Sequence, residues 1–119
     1  MDFTMKNVNR LSKKYNASLV LVAKKWVELS KLEIAMVFST KGVVDWWSKS
    51  ESFPYKIEGT IYKQSSVLRA IDSERKITGN KVIFDKWFQA EYPRYGIREQ
   101  SYNLFEDKIL TLLQIIDEC

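Results

Sequence analysis

The chain contains no histidine among its 119 residues, and this single count decides most of the chemistry open to it. Serine-type triads, cysteine–histidine dyads, HExxH zinc sites and two-histidine iron sites each require at least one imidazole. The only cysteine is Cys119, so an internal disulfide and a CxxC metal or redox motif are both excluded. We therefore predict no metal site and no cofactor for this chain.

Carboxylates are the remaining candidates for chemistry, as a catalytic acid–base pair, as a magnesium site or beside an activated lysine. Their spacing gives no indication that the fold brings two of them together, and solvated surface charge is the favoured interpretation of each. We expect the adjacent pair Glu106 and Asp107 to form a turn before the last strand. The acids considered are Asp45, Glu51, Glu58, Asp72, Glu74, Glu99, Glu106 and Asp107. No catalytic residue is predicted.

The positive charge lies near the N-terminus. Residues 1–31 hold seven lysines and arginines against two acidic residues, a net charge of +5, whereas residues 32–119 hold twelve against thirteen, a net charge of −1. The hydrophobic period changes at the same place, from that of a helix to that of a strand. We therefore predict two parts, a helical segment at 1–32 and an α+β domain at 33–119.

Two amphipathic helices are predicted in the first part. Val8, Leu11 and Tyr15 recur at helical spacing over residues 3–15, and Asn16-Ala17-Ser18 supplies a stop, a turn and an N-cap. The second helix should run from Leu19 to Ser30. Its predicted buried stripe is Leu19, Val22, Ala23, Trp26 and Leu29. Two helices joined by so short a turn have the shape of a helix-turn-helix.

An antiparallel sheet is predicted for the second part. Ile34, Met36 and Phe38 alternate with residues of the other face, and Gly42 can adopt the positive φ that a hairpin turn requires. A short helix should follow Ser66, and a turn should lie at residues 78–80. The further predicted strands are 81–88, 95–104 and 109–116, the last so apolar that both of its faces should be covered. The fold class is therefore α+β.

The first turn of the second helix is the candidate for partner binding. One helical face cannot bury all four apolar residues at 19–22, so we expect Val20 and Leu21 to lie on an outward face flanked by Lys24 and Lys25. A helix that reads DNA carries polar side chains at these positions, because they match the donors and acceptors of base edges. An apolar outer face favours docking against another protein. Weak nucleic-acid contact through the basic side chains remains the alternative.

An aromatic-rich segment follows the predicted hairpin. Trp46, Phe53 and Tyr55 could line a small-molecule pocket, although ordinary core and edge packing is the favoured interpretation. Alternation places Trp46 and Trp47 on opposite faces of one strand, so at most one of them points into the main core.

Several segments of the sequence, taken in order, resemble the part of ImmA/IrrE metallopeptidases that follows the catalytic domain. In that family an N-terminal domain carries an HExxH zinc site, a helix-turn-helix follows, and some members end in a GAF-like domain. These proteins cut repressors of the xenobiotic-response type, which switches on mobile-element transfer or a DNA-damage programme. The resembling segments are LSKKYNAS at 11–18, VELS at 27–30, AMVFS at 35–39, DWWSKSESFP at 45–54, WF at 87–88, EQS at 99–101 and LTLL at 110–113.

The resemblance implies a regulatory role without catalysis, because no position of this sequence matches the HExxH residues. We expect a helix-turn-helix followed by a GAF-like domain, present as a fragment of a longer protein or, less favoured, as a natural remnant. The expected partners are the peptidase domain of the same protein and a repressor-type protein, in the bacterial cytoplasm and away from membranes. A stand-alone nucleic-acid-binding module is the alternative, and an unrecognised hydrolase is a third class.

Overall fold

The computed structural model describes residues 3–53, 77–78, 81–82 and 96–116. They form two helices, α1 (Met5–Tyr15) and α2 (Leu19–Leu29), packed on an antiparallel sheet. The strands, in chain order, are β1 (Ile34–Thr40), β2 (Val43–Lys49), β3 (Ile77–Thr78), β4 (Lys81–Val82), β5 (Gly96–Phe105) and β6 (Lys108–Ile116). The predicted α+β class is confirmed.

The four long strands lie side by side in the order β2-β1-β6-β5. The two short strands both pair with β5, Ile77 opposite Tyr102 and Lys81 opposite Arg98, and they keep a single antiparallel register. Residues 79 and 80 of the turn predicted at 78–80 lie outside the described residues. The predicted short helix after Ser66 lies outside the described residues.

Two tight turns close the long hairpins at one end of the sheet. Lys41 and Gly42 have φ of 51° and 87°, and Glu106 and Asp107 have φ of 48° and 58°, so both turns use the left-handed region that two-residue hairpins favour. Both turns were predicted. The Lys41 N–H donates to the Asp107 carbonyl oxygen at 3.0 Å, which joins the two turns.

The helix ends are set by capping side chains. The Thr4 hydroxyl accepts a hydrogen bond from the Asn7 N–H at 3.3 Å, and the Ser18 hydroxyl accepts one from the Leu21 N–H at 3.1 Å. Asn16 takes the left-handed conformation at the end of α1, with φ of 51°. The stop and restart predicted at residues 16–18 are confirmed, and α1 begins two residues later than predicted.

Both helices pack on one face of the sheet and share a single core with it. The buried members of this core are Phe3, Met5, Val8, Ala23, Val27, Ile34, Met36, Leu110 and Leu112. The start of α1 is also tied to the sheet by hydrogen bonds, because Gln100 Oε1 accepts from the Met5 N–H at 2.6 Å and Gln114 Oε1 accepts from the Phe3 N–H at 3.3 Å. The predicted division at residue 32 stays a prediction, and the shared core argues against it.

The other face of the sheet is buried as well. Its buried side chains include Ala35, Val37, Ser39, Glu99, Ser101, Asn103, Ile109, Thr111 and Leu113. The Ser101 and Thr111 hydroxyls lie 2.8 Å apart and share a hydrogen bond. Burial on both faces confirms the prediction made for the central part of the last strand.

Candidate docking site on the helical pair

The helix α2 is apolar on more than one face, and packing decides which face reaches the core. Ala23 and Val27 are fully buried, whereas Leu21 is 49% exposed and Leu29 is 81% exposed. The stripe predicted from the sequence was therefore wrong at Leu29, which lies in solvent, and it omitted Val27. A second apolar face remains uncovered within the described part of the chain.

This uncovered face forms one wall of an open groove between the two helices. The groove has a volume of about 320 Å³. Its lining is Leu11, Tyr15, Ala17, Leu21, Val22, Lys25, Trp26 and Leu29. Every lining side chain except that of Lys25 is apolar or aromatic, so the groove can exclude water from an apolar guest but offers it almost no hydrogen bonds.

The walls of the groove are held in place by local structure. The Ser12 hydroxyl donates to the Ala17 carbonyl oxygen, and the Ala17 N–H donates to the Ser12 carbonyl oxygen at 3.0 Å, which fixes the connection between the helices. The Trp26 ring packs edge-on against Phe3, with 5.3 Å between ring centroids and 69° between ring planes. Because Phe3 belongs to the core, the floor of the groove is coupled to the packed interior.

The helical pair that forms the groove is basic. Among residues 3–31, seven lysines and arginines stand against one acidic residue, Glu28. Lys24 and Lys25 both pair with Glu28, with N–O distances of 3.8 Å and 3.7 Å. These side chains are largely exposed, so each ion pair contributes little to stability and can be exchanged for another partner. Lys14 and the exposed Tyr15 ring are in contact, with Nζ 5.3 Å from the ring centroid.

The four residues predicted to bind a partner do not share one face. Leu21 and Lys25 line the groove, and Lys24 is exposed beside it. Val20 is half-buried against the core and lies on the other side of α2, in a shallow depression with Phe38. The expectation that Val20 points outward with Leu21 was wrong, because successive residues of a helix are separated by about 100° around its axis.

The three residues predicted to line a ligand pocket do not form one. The Trp46 ring stacks on that of Phe38 with centroids 5.8 Å apart, whereas Phe53 is buried beyond a turn at the far end of β2. The two sites are four positions apart along β1, because Trp46 lies opposite Phe38 and the Ser50 N–H donates to the Ile34 carbonyl oxygen. Tyr55 lies outside the described residues.

The acids occupy separate structural positions. The Thr40 hydroxyl donates to Asp45, the Asn103 amide donates to Asp107 at 2.8 Å, and Glu99 is buried in the sheet. Within residues 3–53 and the described strands, no three Asp, Glu or Cys side chains come together as a metal-binding group. Glu58, Asp72 and Glu74 lie outside the described residues.

Sequence reasoning missed most of the groove. It identified Leu21 and Lys25, but Tyr15 and Leu29 were assigned to buried stripes, and the α1 wall was not considered. A signal was present, since residues 19–29 contain more apolar side chains than one helical face can bury. Which of these extra apolar side chains form a groove with the end of α1 depends on how the two helices pack.

No protein-family model matches the chain, and neither does any curated protein sequence. No helix in the described part of the chain combines the length and the apolar character needed to cross a membrane.

Proposed function

We propose that the chain is a non-catalytic, partner-recognition region of an ImmA/IrrE-type zinc metallopeptidase that cuts xenobiotic-response-type repressors. In this proposal the helical pair docks onto the peptidase domain or the repressor, in the bacterial cytoplasm, and the chain itself performs no catalysis. The observation that carries the proposal is the open apolar groove between α1 and α2. The sequence resemblance supplies the identity of the partner.

The groove supports docking because its most exposed side chains are largely left uncovered by the fold of this chain. Tyr15 and Leu29 are 66% and 81% exposed, so they gain little by folding and much by being covered. Burying one aliphatic side chain fully contributes about 1.5–3 kcal/mol. A micromolar complex corresponds to about 8 kcal/mol, so the exposed groove residues can supply a substantial part of a regulatory contact.

The order of elements is compatible with the helix-turn-helix and GAF-like parts of the proposal. Two short helices precede an antiparallel sheet, and the connection between the helices has three residues, 16–18. Such a connection suits a helix-turn-helix, and helices covering an antiparallel sheet suit a GAF-like α+β domain. These two names remain part of the proposal and rest on the sequence resemblance.

The nucleic-acid alternative finds less support in the first turn of α2. Leu19 and Val20 pack against the core, and Leu21 is apolar, so this turn presents no side chain suited to base edges. The basic residues could still neutralise phosphates, and such contacts would weaken steeply with added salt. The nucleic-acid alternative is therefore electrostatic binding to phosphates, without recognition of the base sequence.

The test begins with the reading frame upstream of Met1, which should encode an in-frame HExxH domain. That domain, purified separately, should bind the chain in isothermal titration calorimetry. Leu21→Asp combined with Leu29→Asp should weaken binding by at least about 100-fold, because two apolar contacts are lost and two carboxylates are placed at the interface. Val20→Asp is unsuitable, since it would disturb the core.

The matched control is Val43→Asp combined with Phe105→Asp, which alters two exposed apolar side chains at the turn end of the sheet. This variant should bind as the unmodified chain does, and circular dichroism should show that both variants remain folded. Failure of the HExxH domain to bind, or equal losses in the two variants, would contradict the proposal. A contact with duplex DNA that is abolished by salt would favour the nucleic-acid alternative.

A further inference from the structure

We infer that the groove between α1 and α2 binds an amphipathic helix whose aliphatic anchors are flanked by aspartate and glutamate. The inference rests on the proposed function insofar as the groove is the docking site. It adds the chemical class of the partner segment, and three properties of the groove lead to it: its length, its lack of free backbone groups and its charge.

The length of the groove matches two turns of a helix. On α2 the lining side chains fall at Leu21, Lys25 and Leu29, and at Val22 and Trp26, two rows that run along one side of the helix. The eight steps from Leu21 to Leu29 rise by about 12 Å. A partner helix covers that distance with anchors at i, i+3 or i+4, and i+7, which is the usual spacing of helix-in-groove recognition.

A helix suits this groove better than an extended segment. Extended peptides gain affinity by pairing their backbone with a sheet edge. The groove walls are two α-helices, whose backbone groups are already paired internally away from the ends, so an extended guest would leave its own N–H and C=O groups unsatisfied against an apolar lining. A helical guest satisfies its own backbone and presents only side chains.

The charge around the groove selects acidic flanking residues. Lys14 contacts the lining residue Tyr15, Lys24 is exposed on α2 and Lys25 lines the groove, while Glu28 is the single acid in residues 3–31. Acidic residues beside the anchors would meet this surface with complementary charge, which raises the association rate and disfavours basic partners. Lys24 and Lys25 share one carboxylate, so further carboxylates can be accommodated.

A second copy of the chain is a poorer guest. In a two-fold dimer the same patch lies on both sides of the interface, so two strongly basic surfaces would face each other. Nucleic acid also fits the groove less well than an acidic helix, for a different reason. Its phosphates would satisfy the lysines but would leave the apolar lining uncovered.

Three synthetic helical peptides of about 14 residues test the inference against the full chain by fluorescence anisotropy. The first carries leucine at i, i+4 and i+7 with glutamate at the flanking positions. The second replaces each glutamate with lysine, and the third replaces each leucine with alanine. At about 50 mM salt the first peptide should bind at least about tenfold more tightly than either of the others, and its advantage over the lysine peptide should shrink at about 500 mM salt.

Variants of the chain provide the matching controls. Leu21→Asp with Leu29→Asp should abolish binding of the acidic peptide, and Val43→Asp with Phe105→Asp should leave it unchanged. Lys14→Glu with Lys25→Glu should weaken binding of the acidic peptide and strengthen binding of the lysine peptide. No binding of the acidic peptide at about 1 mM, or equal binding of the acidic and lysine peptides, would overturn the inference.

Two other outcomes would also overturn it. A dimer in sedimentation that is lost in the leucine double variant would assign the groove to a second copy. DNA binding that depends on the lysines and not on the leucines would assign the surface to phosphate. If the HExxH domain binds but the acidic peptide does not compete, the inference fails while the proposed function stands. If the acidic peptide binds but the HExxH domain does not, the groove is a helix-binding site for another partner and the proposed function fails.

Discussion

Leu29 occupies the last turn of α2 with 81% of its surface open to solvent, two positions after Val27, which is fully buried. A side chain that is exposed in both the folded and the unfolded chain gains almost nothing on folding. Burial within the fold therefore gives no reason for a leucine at this position. The reason is more naturally sought in a contact that forms outside the fold.

Two leucine-to-alanine substitutions distinguish an exposed leucine from a leucine that stabilises the core. Leu29→Ala should change the free energy of unfolding by less than about 0.5 kcal/mol, because few contacts are lost. Leu112→Ala removes a side chain that is 1% exposed in the shared core, and it should cost about 2–5 kcal/mol. Urea denaturation of both variants is the measurement. A large loss of stability in Leu29→Ala would show that this side chain is packed in solution.

At the scale of the elements, local chemistry was sufficient to predict the ends of helices and hairpins. Asn16 and Ser18 marked the break between α1 and α2, and Gly42 marked the first hairpin turn, because each position needs a particular backbone conformation or cap. The rotation of α2 about its axis could not be predicted in this way. Its sequence offers several apolar faces of similar strength, and contact with the sheet selects the one centred on Ala23 and Val27.

In the turn between β1 and β2, one residue type does not suit its backbone conformation. Both central residues have positive φ, 51° at Lys41 and 87° at Gly42. Glycine adopts such angles at no steric cost, whereas lysine does so less readily than asparagine. The hairpin keeps this conformation because the strands on both sides are paired and the Lys41 N–H is bonded to Asp107.

Two substitutions in this turn should therefore change the free energy of unfolding in opposite directions. Lys41→Asn creates the Asn-Gly pair that such turns prefer, and it should stabilise the chain by up to about 0.5 kcal/mol. Gly42→Ala forces a Cβ into the left-handed region and should cost about 1 kcal/mol or more. Thermal unfolding followed by circular dichroism would measure both effects. Equal destabilisation by the two variants would argue against this type of turn.

At the scale of the whole molecule, the charge pattern and the groove coincide on the helical pair. The excess of lysine and arginine in residues 1–31 lies on the two helices that form the groove, because charged side chains stay in solvent whatever the packing. The groove itself needs Leu11 and Tyr15 of one helix beside Leu21 and Leu29 of the other. No spacing within either helix specifies that combination.

The helical pair and the sheet form one packed unit in the described residues. Val8 and Ala23 belong to the same core as Met36 and Leu112, and Gln100 and Gln114 hold the chain at the start of α1. A boundary at residue 32 was expected from charge and hydrophobic period, but neither property reports which faces pack together. The shared core leads us to expect that the two parts do not fold separately.

Deletion of residues 1–32 tests this expectation. It would expose Ile34, Met36, Leu110 and Leu112, all of which are at most 1% exposed in the complete chain. At about 1.5–3 kcal/mol each, their loss from the core amounts to about 6–12 kcal/mol, which is comparable to the whole stability of an ordinary domain. The shortened chain should therefore show no cooperative urea transition, and a synthetic peptide of residues 1–32, added separately, should restore one. Cooperative unfolding of the 33–119 chain alone would instead establish the sheet as an independent domain, with the helices attached to it.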